Sequence, residues 1–383
     1  MTVTTTVNIR SSFGRQAWKR LQRNKGAVAA LCIIALAILV GIAAYWIAPD
    51  ATPYANRMTL EISGQRPGFR VTMLAMQKER PPQRAGFFSR MLYGQGDGVT
   101  YVPIRQWKFE GTDIVVQKYV DEETSLPERY PLAEVWYGRK GALQQPLPVL
   151  QRQTATQRII TKTYWLGTDR FGRDILSRLL IGTRVSLSVG CIAVLISLTI
   201  GVLLGAVAGY FRGRADDVVM WLINVIWSVP TLLLVFAITL ALGKGFWQIF
   251  IAVGLTMWVS VARIIRGQVM SLRELQFVEA ARALGYGHMR IIVRHILPNI
   301  LGPVMVVAAS NFASAIVVEA GLSFLGVGVQ PPQPSWGLMI KENYNFIITH
   351  NPLLALAPGV AIMLMVLAFN LLGNGLRDAM DVR

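Results

Sequence analysis

A short polar segment between two long apolar runs contains the residues best suited to recognising a partner. It reads Phe277-Val-Glu-Ala-Ala-Arg-Ala-Leu-Gly285, and the dipeptide Leu297-Pro298 follows it at the start of the next apolar run. Alanine is the strongest helix former, and glycine permits the left-handed turn that ends many helices. The segment therefore predicts a small, rigid helix that binds a partner and performs no covalent chemistry. The candidate residues of the loop from this segment to the next apolar run are Phe277, Glu279, Ala280, Ala281, Ala283, Leu284, Gly285, His295, Leu297 and Pro298.

Polar residues inside the apolar runs form a second candidate set, because polarity within a membrane is costly unless it is used. Asn224, Ser228 and Pro230 cluster in one run, where a proline frees a carbonyl group and can bend a helix. Asn311 lies in a later run, and Glu319 stands at the end of that run. All five are candidates for lining a translocation path. Hydrogen bonding between helices is the alternative interpretation.

The sequence lacks the motifs of the common catalytic classes. It contains no Gly-x-x-x-x-Gly-Lys-Ser/Thr phosphate loop, no nucleophile elbow and no zinc motif. We therefore expect a non-catalytic chain with no cofactor and no metal of its own.

The composition indicates a membrane protein. Of the 383 residues, 53% are hydrophobic and only 15% are charged, whereas soluble domains carry about 25% charged residues. The formal charge of +17 could suit nucleic acid, but the basic residues stand in blocks between apolar runs without a recognition motif. We expect membrane lipid, and no nucleic acid, as a partner.

Six apolar runs reach or approach the roughly 20 residues that a helix needs to cross a bilayer. They are residues 26–48, 185–209, 218–242, 245–262, 300–318 and 352–372. Basic residues crowd the stretch before the first run and the stretch between the fourth and fifth runs. Short loops rich in lysine and arginine stay in the cytosol. Six spans with both termini inside satisfy this distribution and place the segment around Glu279 in the cytosol.

Residues 49–163 are expected to form a small β-rich insert outside the cytosol, between spans 1 and 2. Alternating or β-branched patterns predict strands, with turns at 64–68 and 110–112. The predicted strands are residues 57–63, 69–76, 99–109, 113–120 and 130–137. Docking of another extracytoplasmic protein is the expected role of this insert.

The segment 164–182 is expected to be an amphipathic helix lying on the outer membrane surface. Thr168 or Asp169 could cap its start, and Arg173 and Arg178 would face headgroups or water.

Three glycines in the second apolar run, Gly201, Gly205 and Gly209, are spaced four residues apart. Small residues at this spacing let two helices approach closely within a membrane. We expect a packing groove along this helix.

Taken together, these motifs resemble those of ABC-transporter permease subunits of the dipeptide, oligopeptide and nickel branch. The resemblance rests on Glu279-Ala-Ala, Gly285 and Leu297-Pro298, and on residues 165–179, 317–326, 334–337 and 370–378. It is dense over residues 164–383, loose over residues 1–48, and does not reach the insert.

The resemblance implies a mainly α integral membrane protein with six transmembrane helices, in the plasma (inner) membrane of a bacterium. The implied order is a cytosolic basic N-terminus (1–25), transmembrane helix 1 (26–48), the insert (49–163), the interfacial helix (164–182), a permease core (183–376) with a cytosolic coupling loop (263–298), and a cytosolic tail (377–383).

The resemblance also implies a function and partners. A permease of this branch forms half of the path through which an ATP-driven importer carries peptides or similar small solutes by alternating access. The implied partners are a second, homologous permease subunit, one or two ABC ATPase subunits and an extracytoplasmic substrate-binding protein. ATP and magnesium would bind the ATPase subunits, and a groove of an ATPase would hold the helix around Glu279.

Two other classes remain open from the residues alone. A secondary transporter or channel could also have six spans, but it would normally show paired charges or inverted repeats inside them. A membrane-embedded enzyme would need a catalytic constellation. Co-purification of an ATPase separates the first alternative from the ABC class.

Overall fold

The computed structural model describes residues 13–121, 123–139, 143–243, 245–348 and 351–380. Part of the predicted cytosolic N-terminus (1–12) and of the predicted tail (381–383) lies outside the described residues. The described residues are mainly helical and contain one small antiparallel sheet. It divides into two compact units, one made of Met1–Ile38, Ser186–Gln330 and Ala361–Arg383, the other of Leu39–Val185 and Pro331–Val360.

The α-helices range in length from one turn to ten turns. In chain order they are α1 (Phe13–Arg23), α2 (Lys25–Ile47), α3 (Phe87–Tyr93), α4 (Leu132–Tyr137), α5 (Leu147–Gln153), α6 (Ile175–Phe211), α7 (Gly213–Trp227), α8 (Thr231–Leu242), α9 (Phe246–Arg273), α10 (Gln276–Ala283), α11 (His288–Ile291), α12 (Leu301–Leu325), α13 (Trp336–Asn343) and α14 (Leu353–Met380).

Among the described residues, five helical stretches are long and apolar enough to cross a membrane, and α7 with α8 would make a sixth if counted together. The predicted run 218–242 is not one straight helix, because α7 and α8 meet at 92°. Pro230 has no N–H to donate, and it disfavours helical backbone at the preceding Val229. Each of the other five predicted runs falls on a helix.

The glycines of α6 lie against α9, as their spacing predicts. A Cβ atom built on Gly201 would lie 2.5 Å from Cβ of Val261, and one on Gly205 would lie 2.5 Å from the carbonyl oxygen of Ala262. A Cβ on Gly209 would lie 2.6 Å from the carbonyl oxygen of Arg266. The two helices therefore approach at backbone distance along the whole stripe.

Replacing Gly205 with alanine should destabilise the helical unit, because the new methyl group meets fixed backbone. We expect a loss of about 1–3 kcal/mol, typical of an overpacked core. Gly267 on α9 has no atom within 4 Å of its would-be Cβ, so Gly267→Ala is the matched control. The midpoint of thermal aggregation in detergent should fall for Gly205→Ala and hold or rise for Gly267→Ala. Equal midpoints would contradict the close contact.

The predicted β-rich insert contains a five-stranded antiparallel sheet with strand order β4-β3-β2-β1-β5. The strands are β1 (Phe69–Gln77), β2 (Val99–Glu110), β3 (Asp113–Tyr119), β4 (Ser125–Pro131) and β5 (Ile159–Tyr164). The first strand pairs with the last, and Phe69 stands opposite Tyr164. The chain thus enters and leaves the sheet at neighbouring positions.

Three predicted strands are confirmed, and two are wrong. Residues 69–76, 99–109 and 113–120 match β1, β2 and β3, whereas residues 57–63 contain only a 3-10 turn at Leu60–Ile62. Most of the predicted strand 130–137 is helix α4 instead. Its Leu132 and Val135 share one face and pack on the sheet core, so burial at helical spacing outweighs the aromatic and β-branched composition.

The predicted surface helix over residues 164–182 is also wrong. Residues 165–174 form a loop, closed by a bridge between Thr168 and Asp174, and α6 then starts at Ile175 and continues to Phe211. Asp174 caps α6 by accepting the backbone N–H of Ser177 at 2.9 Å, the role that was predicted for Thr168 or Asp169. Burial raises the pKa of Asp174, and its hydrogen bonds to Ser177 oppose that rise.

Candidate functional site

Helix α10 is the short helix predicted around Glu279. It follows α9 after a two-residue break and ends at Ala283. Gly285 has φ +74°, the left-handed conformation expected there, and the N–H of Tyr286 donates to the carbonyl of Ala281 at 3.1 Å. This closed C-terminus fixes where the helix stops and where the chain turns towards α11.

One face of α10 packs inside the helical unit. Val278 and Ala281 are buried in a cluster with Ile265 and Val269 of α9 and with Ile296. Ala281 was predicted to face a partner, and the structure places it in this chain's own core instead. The spacing explains the difference, since Val278 and Ala281 are three residues apart and must share a face.

The opposite face of α10 is exposed and mixes small with apolar residues. Glu279, Ala280 and Ala283 lie on it, with Phe277 at the start of the helix and Leu284 just beyond its end. Leu284 is 71% exposed. We call these five residues the α10 surface.

The residues that follow α10 extend this apolar exposure. Met289 is 67% exposed and Val293 is 55% exposed, and Leu275 before α10 is also exposed. Large exposed apolar patches mark protein–protein or membrane interaction sites. The loop between α9 and α12 therefore has the composition of a docking surface on a rigid base.

Polar contacts hold this loop to α6. Arg273 donates from Nη1 to the carbonyl of Tyr210 at 2.6 Å, and the Tyr210 hydroxyl lies 3.0 Å from Nδ1 of His288. The Arg282 guanidinium stacks 5.5 Å from the centre of the Tyr210 ring. Tyr210 thus connects the base of α10 with α11.

The remaining predicted contact residues lie between α11 and α12. His295 stacks on Tyr286 with ring centres 5.8 Å apart, so its ring faces this chain. Leu297 is partly buried against the same cluster as Val278, and Pro298 is exposed in the 3-10 turn Leu297–Ile300. Of these three residues, Pro298 is the most accessible to a partner.

The candidate path residues fall into two groups on different helices. Asn224, Ser228 and Pro230 are exposed at the break between α7 and α8, where the Ser228 hydroxyl donates to the carbonyl of Val225 at 2.7 Å. Asn311 and Glu319 are buried on α12. The exposed group is open to a partner or a solute, and the buried group is not.

The buried group makes contacts within the protein. Asn311 lies 3.4 Å from the Ser197 hydroxyl of α6, a weak bond between helices. Glu319 accepts a hydrogen bond from the Ser323 hydroxyl at 2.6 Å, and that hydroxyl also accepts the N–H of Val329 at 3.0 Å. These contacts favour the packing interpretation for Asn311 and Glu319.

A buried charge cluster was missed at the sequence level. Arg173 Nε lies 2.6 Å from Asp169, and its Nη2 lies 2.7 Å from Glu342 of α13. Arg178 Nη2 lies 3.0 Å from the same Glu342 carboxylate. Each of these four side chains is at most 4% exposed. The prediction that Arg173 and Arg178 face headgroups or water is therefore wrong.

The sequence signal for this buried cluster is a charge pattern in which Asp169 stands four residues before Arg173, and Asp174 four residues before Arg178. The same spacing is typical of a solvated helix face. The acidic partner Glu342 stands 164 residues after Arg178. We call Asp169, Arg173, Arg178 and Glu342 the Arg173 cluster.

Two family models match this chain. One describes a binding-protein-dependent transport system inner membrane component and matches residues 201–383. The other describes the N-terminal transmembrane domain of oligopeptide transport permease C and matches residues 12–61. Neither of these two models covers residues 62–200.

Known proteins of similar sequence are permeases. The glutathione transport system permease protein GsiD of Pectobacterium atrosepticum is 42% identical over 221 residues, which is 58% of this chain and 73% of the relative. The oligopeptide transport system permease protein OppC of Bacillus subtilis is 39% identical, over 58% of this chain and 72% of the relative. A solved structure of the MetNI methionine ABC transporter matches with TM-score 0.42 and 21% identity, over 53% of this chain and 97% of that one.

Proposed function

This chain belongs to the family of binding-protein-dependent transport system inner membrane components and is a permease subunit of an ABC importer, and we propose how it works with its partners. It forms half of a translocation path for peptides or similar small solutes. Relatives named for glutathione and oligopeptide transport support this class of substrate.

The observation that carries the proposal is the α10 surface. A short helix with one face in the core and an exposed face of small and apolar residues suits insertion into a groove of another protein. We assign this groove to an ABC ATPase subunit that binds ATP and magnesium. Ala280 and Ala283 allow close approach, and Leu284 supplies apolar area.

The proposed orientation follows from charge. Counting α7 and α8 as one bent crossing gives six spans, so the loop between α9 and α12 shares a side with the basic N-terminus. Both are rich in arginine, and short basic loops stay in the cytosol. The termini and α10 are then cytosolic, and the β-rich insert is extracytoplasmic.

The proposed mechanism is alternating access. An extracytoplasmic binding protein delivers solute while the path is closed inside, and ATP binding to the ATPase subunits moves α10. A second, homologous permease subunit supplies the other half of the path. Nucleotide can drive this change only by binding the two conformations with different free energies. Asn224 and Ser228, which are exposed near the break between α7 and α8, are better candidates for contact with solute than the buried Asn311 and Glu319.

Purification in mild detergent tests the proposal. We expect the full chain to retain an ATPase and a second permease, and we expect ATP hydrolysis to rise when the loaded binding protein is added. Competition of unlabelled dipeptides and glutathione with labelled substrate then identifies the solute class. A chain that purifies without an ATPase, and whose uptake follows an ion gradient, would instead be a secondary transporter.

A further inference from the structure

Helix α3, in the insert, exposes nearly all of its apolar side chains. Its sequence is Phe87-Phe-Ser-Arg-Met-Leu-Tyr93, and none of its seven residues is buried. Phe88 is 73% exposed and Tyr93 is 68% exposed. A helix this short is not stable in water on its own, and burying such large rings would contribute substantially if another surface covered them.

The position of α3 is fixed by contacts at its end. Arg184 of α6 donates from Nη1 to the carbonyl oxygens of Met91 at 2.9 Å and Leu92 at 3.2 Å. The next residue after the helix, Gly94, has φ +80°. A Cβ there would lie 2.7 Å from the carbonyl oxygen of Ala51 and 2.8 Å from the Tyr45 ring. The end of α3 therefore lies directly against the end of α2.

The contact with α2 determines the depth of α3 in a membrane. Helix α2 has 23 residues and is about 35 Å long, against a hydrocarbon core of about 30 Å. Trp46, next to the last residue of α2, then falls at the boundary between lipid and water. The Phe87 ring lies 5.1 Å from the Trp46 ring, and the Arg90 guanidinium lies 4.6 Å from it. Helix α3 is at the same level as Trp46.

The chemistry of this region suits phospholipid. Aromatic rings concentrate at membrane interfaces, and arginine side chains reach from apolar positions to the headgroups. Residues 78–93 contain four basic residues and one acidic residue. A positive surface favours the anionic phosphates of lipid. The exposed rings, the positive charge and the depth of Trp46 all favour phospholipid as the partner of this surface.

We propose that α3, together with Trp46, lies in the interface of the outer leaflet and anchors the β-rich insert to the membrane. The aromatic anchor, as we call Trp46, Phe87, Phe88, Leu92 and Tyr93, contacts phospholipid. This proposal rests on α2 crossing the membrane, which is part of the proposed function, and it does not depend on transport activity.

A spin-label experiment on the full chain in its purified complex tests the anchor. Cys32 and Cys191 are replaced by alanine, and Phe88→Cys is labelled with a nitroxide in nanodiscs of phosphatidylethanolamine and phosphatidylglycerol. Leu126→Cys is the control, since Leu126 is an exposed apolar residue on β4. Collision rates with oxygen, which concentrates in lipid, and with a water-soluble nickel chelate are measured at both positions. Leu92→Cys serves as a second probe if Phe88→Cys does not fold.

We expect the label at position 88 to collide with oxygen and to lose most of its collisions with nickel, at a depth of about 5–10 Å. The label at position 126 should collide freely with nickel. Equal nickel collisions at 88 and 126 would overturn the proposal. Low collisions with both reagents at 88 would also overturn it, because they indicate cover by protein. We also measure whether the same complex retains an ATPase. Absence of the ATPase would count against the proposed function alone, whereas the collision rates test the anchor.

Discussion

Replacing Ala280 with tryptophan should lower solute uptake at least tenfold while the permease stays folded in the membrane. Ala280 lies on the exposed face of α10, between Glu279 and the buried Ala281. An indole ring there would hold α10 away from the proposed ATPase groove. Each 1.4 kcal/mol of lost contact weakens the association roughly tenfold. We therefore expect the rate of uptake of labelled substrate to fall at least tenfold.

Two neighbouring variants separate coupling from folding. Ala280→Ser changes little volume and should keep uptake. Ala281→Trp forces a large ring into the core beside Ile265 and Val269, so it should lower the amount of folded permease. The ATPase retained by the purified complex is measured for all three variants. Normal uptake and ATPase retention in Ala280→Trp would remove the α10 surface as the coupling site.

Replacing Arg173 with methionine should cost the unit that contains the sheet much of its stability. The change leaves the buried carboxylates of Asp169 and Glu342 with Arg178 as the remaining arginine of the Arg173 cluster. Removing one partner from a buried ion pair typically costs about 3–5 kcal/mol. We expect a lower melting temperature in detergent and less permease in the membrane.

The double variant Arg173→Met with Glu342→Leu makes the prediction specific. It removes one charge of each sign, so it should melt at a higher temperature than Arg173→Met alone. The surface pair between Arg129 and Glu110 provides a control, because Arg129 is 68% exposed. Arg129→Met should change the melting temperature little. A double variant no more stable than the single one would mean that Arg173 acts through packing instead of charge.

Features that depend on residues close in the sequence were predictable. The glycine stripe of α6 and the left-handed turn at Gly285 follow from spacing and backbone freedom, and both are present. Strands β1, β2 and β3 follow from alternation within single segments. In each case the residues that decide the structure lie within a few positions of one another.

Features that depend on distant partners were not predictable from local patterns. Arg173 and Arg178 have the composition of a solvated helix face until Glu342 is brought beside them. The spacing places Ala281 on the same face as Val278, but that this face, and not the face of Ala280 and Ala283, is the buried one depends on its packing against α9. The proline in the run 218–242 indicates a bend, but it does not by itself predict the angle of 92° between α7 and α8.

The pairing of β1 with β5 brings the two ends of the sheet segment together. Phe69 and Tyr164 stand opposite each other on adjacent antiparallel strands, roughly 5 Å apart at their Cα atoms. A two-residue turn could close that distance after excision of everything between them. Residues 70–163 could thus be removed and the chain rejoined by a short turn, at the loss of the contacts that Arg184 makes with Met91 and Leu92.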